Sequence, residues 1–199
     1  MRPEELTEHL NWSSCPRRYV GCRFDNFEAY STDLQSRLDV SRRAAEKVRS
    51  ILFFGPVGSG KTHLAVATMA AWAARGAPGK FVSAIEYVYR VQGQYGNAAA
   101  VVSDLIDADD RFVLIDDLGS EKSTETARAA LLYLVDWLYQ RKRRVIVTSN
   151  MSPAEIASYE PRLMSRLAEM ALLVELRAKD YRIRVAGREK GYSVLAPKC

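Results

Sequence analysis

Four apolar runs stand out along the chain, at residues 51–54, 112–115, 145–147 and 171–175 (the last closing on Glu175), and the pair Phe81-Val82 makes a shorter fifth. Runs of this length, closed by glycine, aspartate or serine and asparagine, predict strands buried on both faces, the habit of parallel sheets. Between them the apolar spacing changes to three and four. Leu34, Leu38, Ala45 and Val48 predict a helix over 31–49, and an alanine-rich stretch predicts another over 61–74, stopped by Gly76-Ala77-Pro78-Gly79. Further helical patterns cover 84–92 and 98–107. Ala130, Leu131, Leu134, Val135 and Leu138 share one face of a long helix over roughly 124–141, and short helices are expected near 153–157 and 161–168. Strands alternating with helices predict an α/β fold, a central parallel β-sheet flanked by helices through right-handed crossovers. Residues 1–23, with Pro3, Pro16 and a Ser-Ser-Cys-Pro turn, have little periodicity and read as a short N-terminal arm, leaving 24–199 as one domain.

Composition narrows this picture modestly. At 199 residues with 48% hydrophobic and 27% charged positions, the chain has the balance of one globular domain and not of a disordered segment. It lacks the run of about 20 apolar residues that a membrane span needs, and its acidic, polar start does not read as a secretory signal. Three scattered cysteines, Cys15, Cys22 and Cys199, make no disulfide framework, so a reducing, cytoplasmic location is expected. The net charge of +5 is gathered in clusters: Arg17-Arg18, the group from Arg42 to Arg49, the run from Arg141 to Arg144, and the stretch from Arg177 to Lys190. Such clusters read either as solvated faces or as a nucleic-acid footprint. Charge by itself does not choose.

The chemistry sits at the ends of the strands. Gly55-Pro56-Val57-Gly58-Ser59-Gly60-Lys61-Thr62 matches G-x-x-x-x-G-K-[ST] with a strand before it and a helix after it. Glycines let successive backbone N–H groups turn inward around phosphates, and the following helix adds its positive end. In that setting Lys61 reaches the β- and γ-phosphates of ATP and the Thr62 hydroxyl ligates Mg2+. The third apolar run ends in Asp116-Asp117. Asp116 is the candidate second magnesium ligand, and Asp117 is the candidate for polarising the attacking water. Asn150 closes the next strand, where its amide orients that water or else caps the helix starting at Pro153.

In that order the motifs resemble one family. Arg23-Phe24-Asp25-Asn26-Phe27, the phosphate loop continuing into His63-Leu64-Ala65, Leu114-Ile115-Asp116-Asp117-Leu118-Gly119 and Val147-Thr148-Ser149-Asn150 look like the AAA+ P-loop NTPases of the DnaC/IstB group. These include replicative helicase loaders and transposase helper ATPases. Pro161 to Leu167 and Asp180 to Arg184 are similar to the DnaC ending, so the resemblance spans roughly residues 23–186. It implies an ATPase, weak alone and stimulated by assembly or DNA. It places His63 at the nucleotide and makes Asn150 sensor I. Arg166 becomes an arginine finger acting in trans, with Arg162 as second candidate, and Arg182 becomes the sensor II arginine. A replicative DNA helicase, single-stranded DNA and a homo-oligomer are the implied partners.

The segment between the phosphate loop and the acidic strand corresponds to the one that tracks single-stranded DNA in such loaders. Here it holds Tyr87, Tyr89, Arg90 and Tyr95, suited to stacking unless Tyr87 and Val91 belong to the core. Two features depart from the family. Only about 23 residues precede the Phe-Asp-Asn-Phe motif, where loaders carry a helicase-gripping domain. Cys15 and Cys22, with His9 as the third possible ligand, lack the spacing and the donor set of a zinc site. The alternatives are a transposition helper acting on double-stranded DNA and an ATP-dependent switch with negligible hydrolysis.

Overall fold

The computed structural model describes residues 14–178, 180 and 181. Five strands, β1 (Ser50–Phe54), β2 (Gly79–Ser83), β3 (Phe112–Leu118), β4 (Arg144–Ser149) and β5 (Ala171–Glu175), form one parallel sheet in the order β2-β3-β4-β1-β5. The helices are α1 (Thr32–Glu46), α2 (Lys61–Ala73), α3 (Ala84–Gly93), α4 (Ala98–Leu105), α5 (Glu125–Gln140), α6 (Pro153–Tyr159) and α7 (Pro161–Met170). Two 3-10 turns, Arg17–Tyr19 and Phe24–Asn26, precede α1. Among the described residues no helix is long and apolar enough to cross a membrane.

In β1, β3 and β4 the unbroken apolar runs have the expected cause, for side chains alternate between two buried faces; β5, at the sheet edge, departs from it and exposes Leu172 and Leu173. Ile51, Phe53, Phe112, Leu114 and Ile146 face α1 and α2, where Leu38, Leu64, Met69 and Trp72 complete one core. Leu52, Val113, Ile115, Val145 and Val147 face the other way, against Val88, Leu131, Leu134, Leu138, Leu163 and Leu167. Trp72 meets Phe112 edge-on at 4.9 Å, and its indole N–H donates to Ala45 O at 3.0 Å, tying α1 to α2. Cys15 and Val20 are buried in the first of these cores, so the described stretch before residue 24 packs on the domain.

Three elements extend well past their apolar runs, β4 reaching from Arg144 to Ser149. β2 runs from Gly79 to Ser83 because it pairs residue by residue with β3. β3 continues to Leu118 through an irregularity. Ile115 stands opposite Val147, but Leu118 stands opposite Ser149, so β3 fits one extra residue against β4. Asp117 takes up the insertion with φ 62. This bulge is where the acidic pair lies.

Candidate nucleotide site

Strand order decides which loops meet. β4 separates β1 from β3, so its C-terminal end lies between the phosphate loop and the acidic pair. A cavity of about 390 Å3 opens there, lined among others by Val57, Gly58, Ser59, Gly60, Lys61, Thr62, His63, Asp116, Asp117 and Asn150.

The loop itself is tightly drawn. Gly58 and Gly60 hold φ of 72 and 94, and a Cβ on Gly60 would stand 2.6 Å from the Phe27 ring. At Gly55 a Cβ would collide with the Leu176 carbonyl. The Lys61 ammonium donates to Gly55 O at 2.9 Å and to Pro56 O at 2.8 Å, curling the loop around itself. Ser59 is buried, and its Oγ finds no partner among the described residues. An orphaned hydroxyl of this kind costs about 1–3 kcal/mol. Together with the glycine cradle at the start of α2, it suits a polyanionic ligand that supplies the missing contact.

The two carboxylates have distinct surroundings. Asp116 Oδ1 accepts from the Thr62 hydroxyl at 3.0 Å and from the Thr148 hydroxyl at 2.7 Å. Burial pushes its carboxyl above the usual range, while both hydroxyls pull it back down. Regular alternation would send Asp117 to the opposite face; the bulge with its positive φ keeps it at the cavity. Asp117 N–H donates to Thr148 Oγ1 at 2.8 Å, and Asn150 Nδ2 donates to Asp117 Oδ1 at 2.9 Å. Asn150 is available because Ser152 caps α6, accepting from Glu155 N–H at 3.3 Å while the Glu155 carboxylate accepts from Ser152 N–H at 2.7 Å. Ser152, and not Asn150, thus caps this helix, and Asn150 meets Asp117.

Thr148 stands inside the Val147–Asn150 motif, but the motif assigns it no role. One hydroxyl, almost fully buried, donates to Asp116 and accepts from the Asp117 backbone, joining both acids. Glu28 lies outside the motifs, and Tyr181 lies within the Asp180–Arg184 stretch without an assigned role. The Tyr181 hydroxyl donates to Glu28 Oε2 at 2.7 Å, and its backbone N–H donates to Gly58 O at 3.0 Å, closing a strap beside the phosphate loop. The Asp180 carboxylate lies against Gly58.

His63 lines the cavity, but its nearest partners are structural. Nε2 stands 2.9 Å from Arg23 O and 3.0 Å from Asn26 Oδ1; both are acceptors, so Nε2 carries the proton. With Phe27 edge-on at 5.3 Å, this pins the Phe24–Asn26 turn to α2. Burial lowers the His63 pKa.

Other expected residues fall elsewhere. Arg162 and Arg166 do not line the cavity; both are on α7, where Arg166 forms an ion pair with Asp136 and lies 5.7 Å from the Tyr139 ring centre. Arg182 and His9 lie outside the described residues. Tyr87 belongs to the core and is no candidate for DNA contact, since its hydroxyl donates to Ala130 O at 3.1 Å from a buried position. Tyr89, 61% exposed, and Tyr95, fully exposed, do face solvent. The Cys15 thiol is pushed up to about 12 and that of Cys22 is also raised, mainly by burial.

Comparison with known proteins gives this arrangement a family. The model of the bacterial DnaA ATPase domain matches residues 21–175. The chain belongs to that family. DnaA of Thermoanaerobacter sp. (strain X514) is 25% identical over 200 residues, which is 92% of this chain and 42% of that protein. DnaA of Bordetella petrii is 27% identical over 168 residues, 82% of this chain and 35% of its own length. The chain thus spans less than half the length of these relatives. The crystal structure of the DnaC helicase loader superposes with a TM-score of 0.69 at 24% identity, covering 81% of this chain and all of that one. AMPPCP-bound DnaA from Aquifex aeolicus superposes at 0.65 and 20% identity, covering 90% of this chain and 58% of that one. The resemblance read from the motifs therefore holds at the level of family and fold: this is an α/β AAA+ protein of the bacterial DnaA ATPase-domain family, with a fold shared by the DnaC helicase loader.

Proposed function

We propose that the chain binds and hydrolyses ATP and acts in replication as a helicase loader on single-stranded DNA. The observation that carries this reading is the convergence of Gly55–Thr62, Asp116, Asp117 and Asn150 on one cavity through the Thr62–Asp116 and Asn150–Asp117 bonds. The loop N–H groups and Lys61 would hold the phosphates, Lys61 exchanging its loop carbonyls for phosphate oxygens. Thr62 and Asp116 would hold Mg2+, which when bound neutralises charge developing on the phosphate oxygens. Asp117, kept beside the cavity by its bulge and by Asn150, would orient the attacking water and take its proton. The strap of Glu28 and Tyr181 would limit water at the loop's side.

Several observations support the remaining parts. A structure of the replication initiator DnaA bound to AMPPCP and single-stranded DNA shares the fold, with a TM-score of 0.64. Tyr89, Arg90 and Tyr95 are exposed here on and just beyond α3, where bases would stack at about 1–3 kcal/mol each. Arg166 would act as a finger toward a neighbouring subunit, with Arg162 one turn away and more exposed. That use requires Arg166 to leave Asp136 for a phosphate, so assembly and hydrolysis would be coupled.

The test is a pull-down from host extract with this chain, ATP and a single-stranded oligonucleotide. Recovery of the replicative helicase, lost with Lys61→Ala, is the expected result. Recovery of a transposase on duplex DNA would replace this reading with that of a transposition helper.

A further inference from the structure

The opposite end of the sheet carries different chemistry. Four adjacent strands, β1-β4-β3-β2 in spatial order, each carry a cation within one residue of their start. Arg49 immediately precedes β1, Arg144 opens β4, Arg111 immediately precedes β3, and Lys80 is the second residue of β2. The register gathers them at one edge with a stagger. Ile51 pairs with Ile146, which sets Arg49 level with Arg144; Phe112 pairs with Arg144, which sets Arg111 one residue before that level; Lys80 pairs with Val113, one residue beyond it. Arg49 and Arg144 thus belong to one face of the sheet, and Arg111 and Lys80 to the other. Arg144 N–H also reaches Arg111 O at 3.4 Å. Neighbouring strands lie about 4.8 Å apart, so the row runs for roughly 14 Å along the edge of a rigid sheet.

Local structure does not account for the row. Arg43, Lys47 and Arg141 lie at the C-terminal ends of α1 and α5, where the helix dipole favours cations. Strand starts offer no comparable dipole. Arg143 is engaged internally, donating to Ala108 O at 2.8 Å and to Asp107 O at 3.3 Å. Arg49, Arg111 and Arg144 are exposed, and their guanidinium groups have no ion pair among the described residues. The acids facing this end are Glu46 and the turn before Arg111. In that turn Asp110 is buried, which raises its carboxyl pKa, and it accepts from Asp107 N–H at 2.9 Å; that bond and the nearby Lys80 offset part of the rise, while Asp107 and Asp109 flank the row. Beside Arg111 and Lys142 a cleft of about 420 Å3 opens.

We propose that this row is a track for the phosphate backbone of double-stranded DNA, separate from the nucleotide site. Cations gathered on a stiff support, from both faces of one sheet edge, suit a stiff polyanion, and neutralising its phosphates releases counterions. Single strands call for stacking surfaces, and the nearby Trp137 ring is already covered by Arg141 at 4.3 Å and Arg143 at 5.3 Å. The length of β1 puts the row about 15 Å from the phosphate loop, so the two functions should separate by mutation.

The experiment is fluorescence anisotropy of a 5′-labelled duplex of about 20 base pairs, with the full chain and no nucleotide, over a series of salt concentrations. The combined variant Arg49→Ala, Arg111→Ala, Arg144→Ala should bind at least about 10-fold more weakly, and its slope of log affinity against log salt should shrink by about 2 to 3, near 0.9 per phosphate lost. Its ATP affinity should match wild type, which also shows that it folds. The triple arginine-to-lysine variant should retain most of the slope, because a phosphate track reads charge. Lys61→Ala should bind duplex normally. An unchanged slope in the alanine variant, a loss confined to single-stranded oligonucleotide, a lysine variant as weak as the alanine one, or an equal loss in Lys61→Ala would each overturn the proposal.

Discussion

The two ends of the same parallel strands treat polar groups in opposite ways. At the C-terminal ends polar side chains are buried, shared and constrained: one threonine hydroxyl serves two aspartates, and one aspartate is held at positive φ on a bulge. At the N-terminal ends, by contrast, Arg49, Arg111 and Arg144 are exposed and gathered at one edge, without ion pairs among the described residues. The first end suits recognition by fixed geometry, where low local dielectric amplifies each hydrogen bond and each misplacement. The second suits recognition by charge density, tolerant of small displacements and sensitive to salt.

The comparison breaks most sharply at Asp117. Asp117→Asn should keep nucleotide affinity while slowing single-turnover hydrolysis by about 100-fold or more, the usual loss when a positioned base is removed; equal turnover would take Asp117 out of the chemistry. Lys61→Ala comes next. Losing a charge-assisted contact of about 1.5–3 kcal/mol should weaken ATP binding about 10- to 100-fold in a fluorescent-nucleotide titration, leaving duplex affinity alone.

Thr148→Val should leave Asp117 N–H buried without a partner and Asp116 with one donor fewer, destabilising the chain by about 1–3 kcal/mol in urea melts and raising the Mg2+ needed for turnover. Thr148→Ser should restore both. If valine matches wild type, the single hydroxyl does not organise the acids.

The smallest effect concerns pH. Burial holds the Asp116 pKa above its ordinary value, so the folded chain binds that proton more tightly than the unfolded one, and ionisation destabilises the fold as pH rises through this window. Without Mg2+, Asp116→Asn should therefore melt slightly higher than wild type at pH 7. The difference should fade once pH falls below the ordinary value of 3.8, where both forms are neutral. A melting temperature that drops at pH 7 would show that the two hydroxyl bonds outweigh burial.

Much of this molecule is legible in its amino-acid pattern. Strand runs at 51–54, 112–115 and 145–147 declare themselves because a strand buried on both faces has no polar position to spare, and β1, β3 and β4 cover them. The phosphate loop is legible because only glycines at fixed spacing, followed by Lys-Thr and a helix, allow its backbone. The acidic pair is visible as a pair, yet its geometry is not. Two adjacent residues point apart in a regular strand, and only the bulge opposite Thr148 and Ser149 keeps both at one cavity.

What tertiary structure alone decided depends on strand order and on neighbours distant in sequence. Nothing local says that β4 inserts between β1 and β3, so nothing local marks Thr148 as the hydroxyl between two acids 31 and 32 positions away. Helical spacing leaves Tyr87 open between core and DNA, and its bond to Ala130 settles it inside. Arg166 reads as an exposed cation until Asp136, 30 residues earlier, is seen beside it. The row of cations has the same origin. Arg49, Lys80, Arg111 and Arg144 are scattered in sequence and become neighbours only because parallel strands all begin at one end. Periodicity records which way a side chain faces, whereas the packing of distant segments determines what it meets.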